Sequence, residues 1–169
     1  VHNGIDLPKI NPTQNKRFQA PLVVFAGRLT EQKGVKTFLD IANEVLKTQP
    51  NVRFVIAGDG ELKADLIEVV VRKQIGHRVH FTGYLSQADL WQLLAEADIF
   101  CLPSLSEPFG LAALEAAATG LPVLISKQSG VAEVLPQAMT PDHKDVSSFS
   151  EAILQLIKDE GMAKELGDK

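Results

Sequence analysis

At 169 residues the chain has the length of one domain with a sizeable core, and not of two. Hydrophobic residues make up 45% and charged residues 22%, and the formal net charge of -4 argues against general attraction to nucleic acid or anionic membranes. A single cysteine, Cys101, excludes an intrachain disulfide, and no apolar run approaches the length of a membrane span.

Val1 to Asp6 has no start methionine and no signal-peptide pattern, and reads as the middle of a longer chain. The polar stretch from Lys9 to Pro21 carries two prolines and few apolar anchors, so residues 1–20 are expected to be a linker or arm, with one domain over 21–169. A regular rhythm then begins. Leu22 to Ala26 is a continuous apolar run ending at Gly27, as a buried parallel strand is. Val35, Phe38, Leu39, Ala42, Val45 and Leu46 recur at helical spacing. A strand over Val52 to Ala57 and a helix marked by Leu62, Leu66, Val69 and Val70 follow. Next come a strand from Val79 to Thr82, a helix opened by Ser86 with Asp89 three residues on, and a strand from Ile99 to Leu102 in which Cys101 is a small buried hydrophobe. The alanine-rich stretch from Phe109 to Thr119 predicts a helix stopped by Gly120 and Pro122, and Val123 to Ile125 a strand. Ser148 and Glu151 form a capping-box pattern before a helix carrying Phe149, Ile153, Leu156 and Ile157, and a short helix is expected over Met162 to Leu166. This alternation predicts an α/β fold: a Rossmann-like parallel sheet with helices on both faces. In such sheets ligands bind at the carboxyl ends of the strands, so the loops after the strands hold the informative residues.

After the first strand, Gly27-Arg28-Leu29-Thr30-Glu31-Gln32-Lys33-Gly34 places two cations five residues apart between glycines. Arg28 offers a planar fork to phosphate oxygens and Lys33 a point charge at a helix start, where a cation opposes the helix dipole unless an anion sits between them. The competing reading is two solvated loop charges. Gly58-Asp59-Gly60 begins like a dinucleotide fingerprint, but Lys63 stands where its third glycine belongs; a tight turn with Asp59 as helix cap is the favoured use. After the fourth strand, Glu107 and Pro108 precede a helix whose free N–H groups at Phe109, Gly110 and Leu111 would form an anion site. Gly110 there suggests that something packs close to the backbone. Glu115, among alanines, either faces solvent or binds a ligand. Two glutamates about 12 Å apart along a helix suit opposite ends of a bound diphosphate. Ser126 to Glu133 is a further polar loop. His77 and His80 lack partners at metal-ligand spacing, so no metal is expected.

Taken together, these loops resemble the C-terminal domain of the retaining glycosyltransferases of family four, or group 1, which have the GT-B fold. The resemblance rests on Val1-His2-Asn3-Gly4-Ile5-Asp6, Gly27-Arg28-Leu29 with Lys33-Gly34, Gly58-Asp59-Gly60, Val79-His80-Phe81-Thr82-Gly83, and the glutamates Glu107 and Glu115 separated by seven residues. One departure is the glycine-free run Pro136 to Pro141, where family members carry a glycine-rich stretch.

The resemblance implies a hexosyltransferase-type enzyme whose substrate is a UDP- or GDP-linked nucleotide-diphosphate sugar, with no cofactor. Arg28 and Lys33 would neutralise the departing diphosphate and Glu107 would contact the transferred sugar; these three form the implied catalytic set. Phe109, Gly110, Leu111 and Ala112 would meet sugar or phosphate with their backbone, beside Gly27. Glu115 would accept the ribose hydroxyls, and the backbone near Tyr84 and Leu85 would read the base. The implied partners are an absent N-terminal domain that binds the acceptor (a saccharide, lipid or small molecule), the sugar donor, and no nucleic acid. The implied location is the cytoplasm, with any membrane association carried by the absent domain. Weak donor binding and no catalysis are expected of the chain alone. The alternatives from other classes are a dinucleotide-binding oxidoreductase domain and a non-catalytic Rossmann-like interaction module.

Overall fold

A computed structural model describes residues 20–106 and 110–167. Five strands, β1 (Leu22–Ala26), β2 (Arg53–Ala57), β3 (Val79–Gly83), β4 (Ile99–Leu102) and β5 (Val123–Ile125), form one sheet in the order β3-β2-β1-β4-β5. All four pairings are parallel. The register sets Val24 beside Val55 on one side and Phe100 on the other. Strands β1, β4 and β5 are buried along their whole length, which is why they read as unbroken apolar runs instead of alternating ones.

Six helices connect and flank the strands: α1 (Val35–Thr48), α2 (Lys63–Arg72), α3 (Gln87–Glu96), α4 (Leu111–Ala118), α5 (Val146–Lys158) and α6 (Glu160–Gly167). Right-handed crossovers place α1 and α2 on one face, because both lead outward from β1 toward β3. The same rule places α4, which leads from β4 to β5 on the other side of β1, on the opposite face. Helix α5 packs against α1. The core between α1 and the sheet is aromatic: Phe38 stands 5.4 Å from Phe25 and 5.8 Å from Phe54, ring centre to ring centre, in tilted and edge-on arrangements.

Helix starts differ from expectation in two places. Ser86 caps α3 as expected, accepting from the Asp89 N–H at 3.2 Å. Helix α5, however, begins at Val146 with Asp145, not Ser148, as its cap; the Asp145 carboxylate accepts from the Ser148 N–H at 3.0 Å, taking the capping role expected of Ser148. Helix α4 starts at Leu111 with Gly110 as its cap residue, so the helix is shorter at its front than the alanine run suggests. The departure at Pro136 to Pro141 leaves the sheet edge intact. The Met139 N–H donates to the Val123 carbonyl and the Ile125 N–H to the Met139 carbonyl, a bridge that covers the outer side of β5. The expected arm lies almost wholly outside the described residues.

The chain leaves β1 in one direction to build β2 and β3, then returns to build β4 on its other side. The switch point is therefore between β1 and β4, and the crevice where ligands bind opens at the carboxyl ends of those strands.

Candidate functional site

The loops at the carboxyl ends of the strands are joined to one another across the full width of the sheet. The Gly58 N–H donates to the Gly83 carbonyl, linking the ends of β2 and β3. The Gly27 N–H donates to the Ala57 carbonyl, the Leu29 N–H to that of Asp59, and the Leu62 N–H to that of Leu29, linking the ends of β1 and β2. The Leu105 N–H donates to the Gln32 carbonyl, linking β4 to β1, and the Ser126 hydroxyl donates to the Ser104 carbonyl, linking β5 to β4.

Glycines make this joining possible. A Cβ on Gly58 would lie 1.9 Å from the Gly27 carbonyl oxygen, and one on Gly34 would lie 1.8 Å from the Pro103 carbonyl oxygen. Gly34 also adopts φ 72°, open to glycine at little cost. The Gly58-Asp59-Gly60 turn thus serves backbone packing against the β1 loop. Asp59 is not a helix cap: its carboxylate accepts from the Gly60 N–H, and α2 begins after Leu62 without a side-chain cap.

A cavity of about 760 Å³ opens over these loops, a size suited to a small-molecule ligand. It is lined by Ala26, Gly27 and Arg28 at the end of β1, and by Ala57, Gly58, Asp59 and Gly60 at the end of β2. Tyr84 and Leu85 after β3, Leu90 of α3, and Leu111, Ala112 and Glu115 of α4 complete it. Seven expected site residues therefore share one cavity: Gly27, Arg28, Tyr84, Leu85, Leu111, Ala112 and Glu115. Two do not line it. Lys33 ends a short 3₁₀ turn, and its aliphatic stem runs beside Gly27. Gly110 is buried under Val131; a Cβ there would lie 2.3 Å from the Val131 Cγ2. The close neighbour that this glycine signals is thus a side chain of the loop after β5. Glu107 and Phe109 lie outside the described residues.

Three properties of the site follow from its lining. Glu115 is 8% exposed, and its carboxylate accepts from the Trp91 indole N–H at 3.1 Å. The first turn of α4 adds the unpaired N–H groups that begin every helix, favourable to an anion. Tyr84, 84% exposed, and Leu111, 54% exposed, stand at the rim as large apolar surfaces. Ala26, Ala57, Gly58, Asp59, Gly60 and Leu90 line the cavity without having been expected there. The strand-end rule points to all but Leu90, but turn geometry alone already accounts for the glycines among them.

Residues 8–169 match the family described as glycosyl transferases group 1. The chain belongs to that family. Among its curated relatives, glycogen synthase of Mycobacterium tuberculosis is 31% identical over 168 residues, covering 97% of this chain and 41% of the relative. A sulfoquinovosyl transferase of Arabidopsis thaliana is 33% identical over 146 residues, covering 80% of this chain and 27% of the relative. Among solved structures, Anabaena HepE in complex with UDP and glucose superposes with a TM-score of 0.77 at 25% identity, over 88% of this chain and 41% of that one. The chain thus spans less than half the length of these proteins. Its five-stranded parallel sheet is the α/β fold of such glycosyltransferase domains. Among the described residues, no helix is long and apolar enough to cross a membrane.

Proposed function

We propose that this chain is the donor-binding half of a retaining glycosyltransferase that moves a hexose from a UDP- or GDP-linked sugar to an acceptor held by a separate N-terminal domain. The observation that carries this reading is the single cavity at the strand ends that joins Arg28, the N–H groups opening α4, and the buried carboxylate of Glu115. A guanidinium and helix N–H groups suit the diphosphate; a carboxylate suits vicinal ribose hydroxyls. The structural likeness to HepE with UDP and glucose supports the same assignment of ligand class.

In this reading the bond from the sugar's anomeric carbon to the diphosphate oxygen breaks, and its electron pair stays on the diphosphate. Arg28 and Lys33 stabilise that growing charge electrostatically, and no catalytic metal is required. The acceptor hydroxyl adds to the same face of the sugar and gives its proton to the departing diphosphate oxygen. Glu107 and the backbone of Phe109 to Ala112 hold the transferred sugar, Glu115 the ribose, and the backbone at Tyr84 and Leu85 the base. In this reading the reaction takes place in the cytoplasm.

A calorimetric screen of UDP- and GDP-sugars, with NADH as comparison, tests the reading. Saturable binding of a nucleotide sugar in preference to NADH is expected. Binding of NADH alone, or of neither, would contradict the nucleotide-sugar reading of the cavity. Measurable sugar transfer by this chain without a partner domain would contradict the division of labour.

A further inference from the structure

The buried carboxylate of Glu115 is held by a side chain that does not itself line the cavity. Trp91 sits on α3 and Glu115 on α4, and they meet through the indole N–H and Oε2 at 3.1 Å. Glu115 lines the cavity and Trp91 does not, so the indole reaches the carboxylate without taking up ligand space. We propose that Trp91 is a positioning residue for donor binding: it fixes the Glu115 carboxylate in the orientation that receives the two ribose hydroxyls. This inference rests on the donor-binding reading above.

The chemistry of the pair supports it. A carboxylate has about four lone-pair sites, and the indole, a donor only, uses one of them. The other oxygen remains able to accept from a vicinal diol. A glutamate side chain carries substantial rotamer freedom, and a free Glu115 would surrender it each time a ribose bound. The indole hydrogen bond takes that ordering out of the binding step, and a donor bonded to an ionised acceptor is among the stronger hydrogen bonds available. The bond also satisfies one oxygen of a carboxylate that the fold buries, where an unpaired charge is costly. Alanines at positions 113, 116 and 117 give the neighbouring surface of α4 no polar side chain to share the task.

The test compares UDP with 2′,3′-dideoxy-UDP, with the guanosine pair in parallel, by calorimetry on the 169-residue chain. Trp91→Phe keeps a ring in place and removes the donor. The wild type is expected to prefer UDP over its dideoxy analogue. Trp91→Phe should weaken UDP about tenfold, the scale of a lost hydrogen bond to a charged group, and leave the dideoxy analogue unchanged. A general packing defect would weaken both. In a Glu115→Ala background, Trp91→Phe should have no further effect on UDP.

A second measurement does not depend on folding of the Trp91 variant. Trp91 is the only tryptophan, so the chain has a single indole N–H resonance. It should move in Glu115→Ala, and move in the wild type on addition of UDP but not of the dideoxy analogue. The inference is overturned if Trp91→Phe retains the wild-type preference for UDP, or if the indole resonance ignores both the Glu115 change and UDP. Failure of the donor-binding reading looks different: the wild type then binds neither nucleotide.

Discussion

Arg28 and Cys101 show how position decides what a side chain can do. Arg28 is exposed at the mouth of the cavity, on a loop fixed by hydrogen bonds from Gly27 and Leu29 to the end of β2. In the proposed reading its exposure would let the guanidinium meet a diphosphate while its backbone is held in place. Arg28→Ala should weaken UDP binding by about ten- to a hundredfold, the range for loss of a hydrogen bond between charged groups, with an unchanged melting temperature. Cys101 lies in the middle of β4 and is fully buried, and burial pushes its thiol well above the ordinary value. The thiolate is the reactive species, so Cys101 should resist a thiol reagent such as dithionitrobenzoate in the native protein and react with one equivalent in denaturant. The apolar run around Cys101 announces this. The partner of Glu115 has no such announcement: nothing in the spacing of residues 91 and 115 says that two helices will bring them together.

Elements meet at this site through glycine contacts and a carboxylate clasp. Gly110 caps α4 where the Val131 side chain presses on it. Gly110→Ala should destabilise the protein by about 1–3 kcal/mol through overpacking, measured by urea unfolding. Adding Val131→Ala should restore part of the loss, because it removes Cγ2, the atom nearest the new methyl; additive losses would show that the contact is not the cause.

The loop after β5 is held differently. Asp142 accepts from the Lys144 N–H at 2.9 Å and the Gln128 amide at 2.8 Å, and pairs with the Lys127 ammonium at 3.3 Å. These contacts, led by the Lys144 N–H, lower its pKa from 3.8 to about 2. The folded value is the lower one, so the clasp contributes stability in full above about pH 4 and loses it as pH falls toward 2. Asp142→Asn should flatten the acid limb of a stability-against-pH curve over that window. An unchanged limb would mean that the clasp does not support the fold.

At the scale of the whole molecule, the order β3-β2-β1-β4-β5 decides where everything else goes. Strands β1, β4 and β5 are legible because burial on both faces makes each one an apolar run, and the parallel order follows from helices alternating with strands. The site is legible to the extent that it lies at strand ends: Gly27, Arg28, Leu111, Ala112 and Glu115 meet in one cavity. Less legible is what the glycines do. Gly34, Gly58 and Gly110 answer to backbone or side-chain atoms far away in sequence, and a one-dimensional pattern cannot tell a close neighbour from a close ligand. Helix starts are ambiguous where two capping residues stand three apart, as Asp145 and Ser148 do.

In the proposed function a nucleotide diphosphate binds between the β1 loop and the start of α4. Amide shift mapping of the chain during titration with UDP and with GDP tests it most directly. Saturable shifts are expected to concentrate at Gly27, Arg28, Leu111, Ala112 and Glu115, joined by the Trp91 indole N–H, with little change at α5. Saturable binding that moves other residues and leaves these still would contradict it.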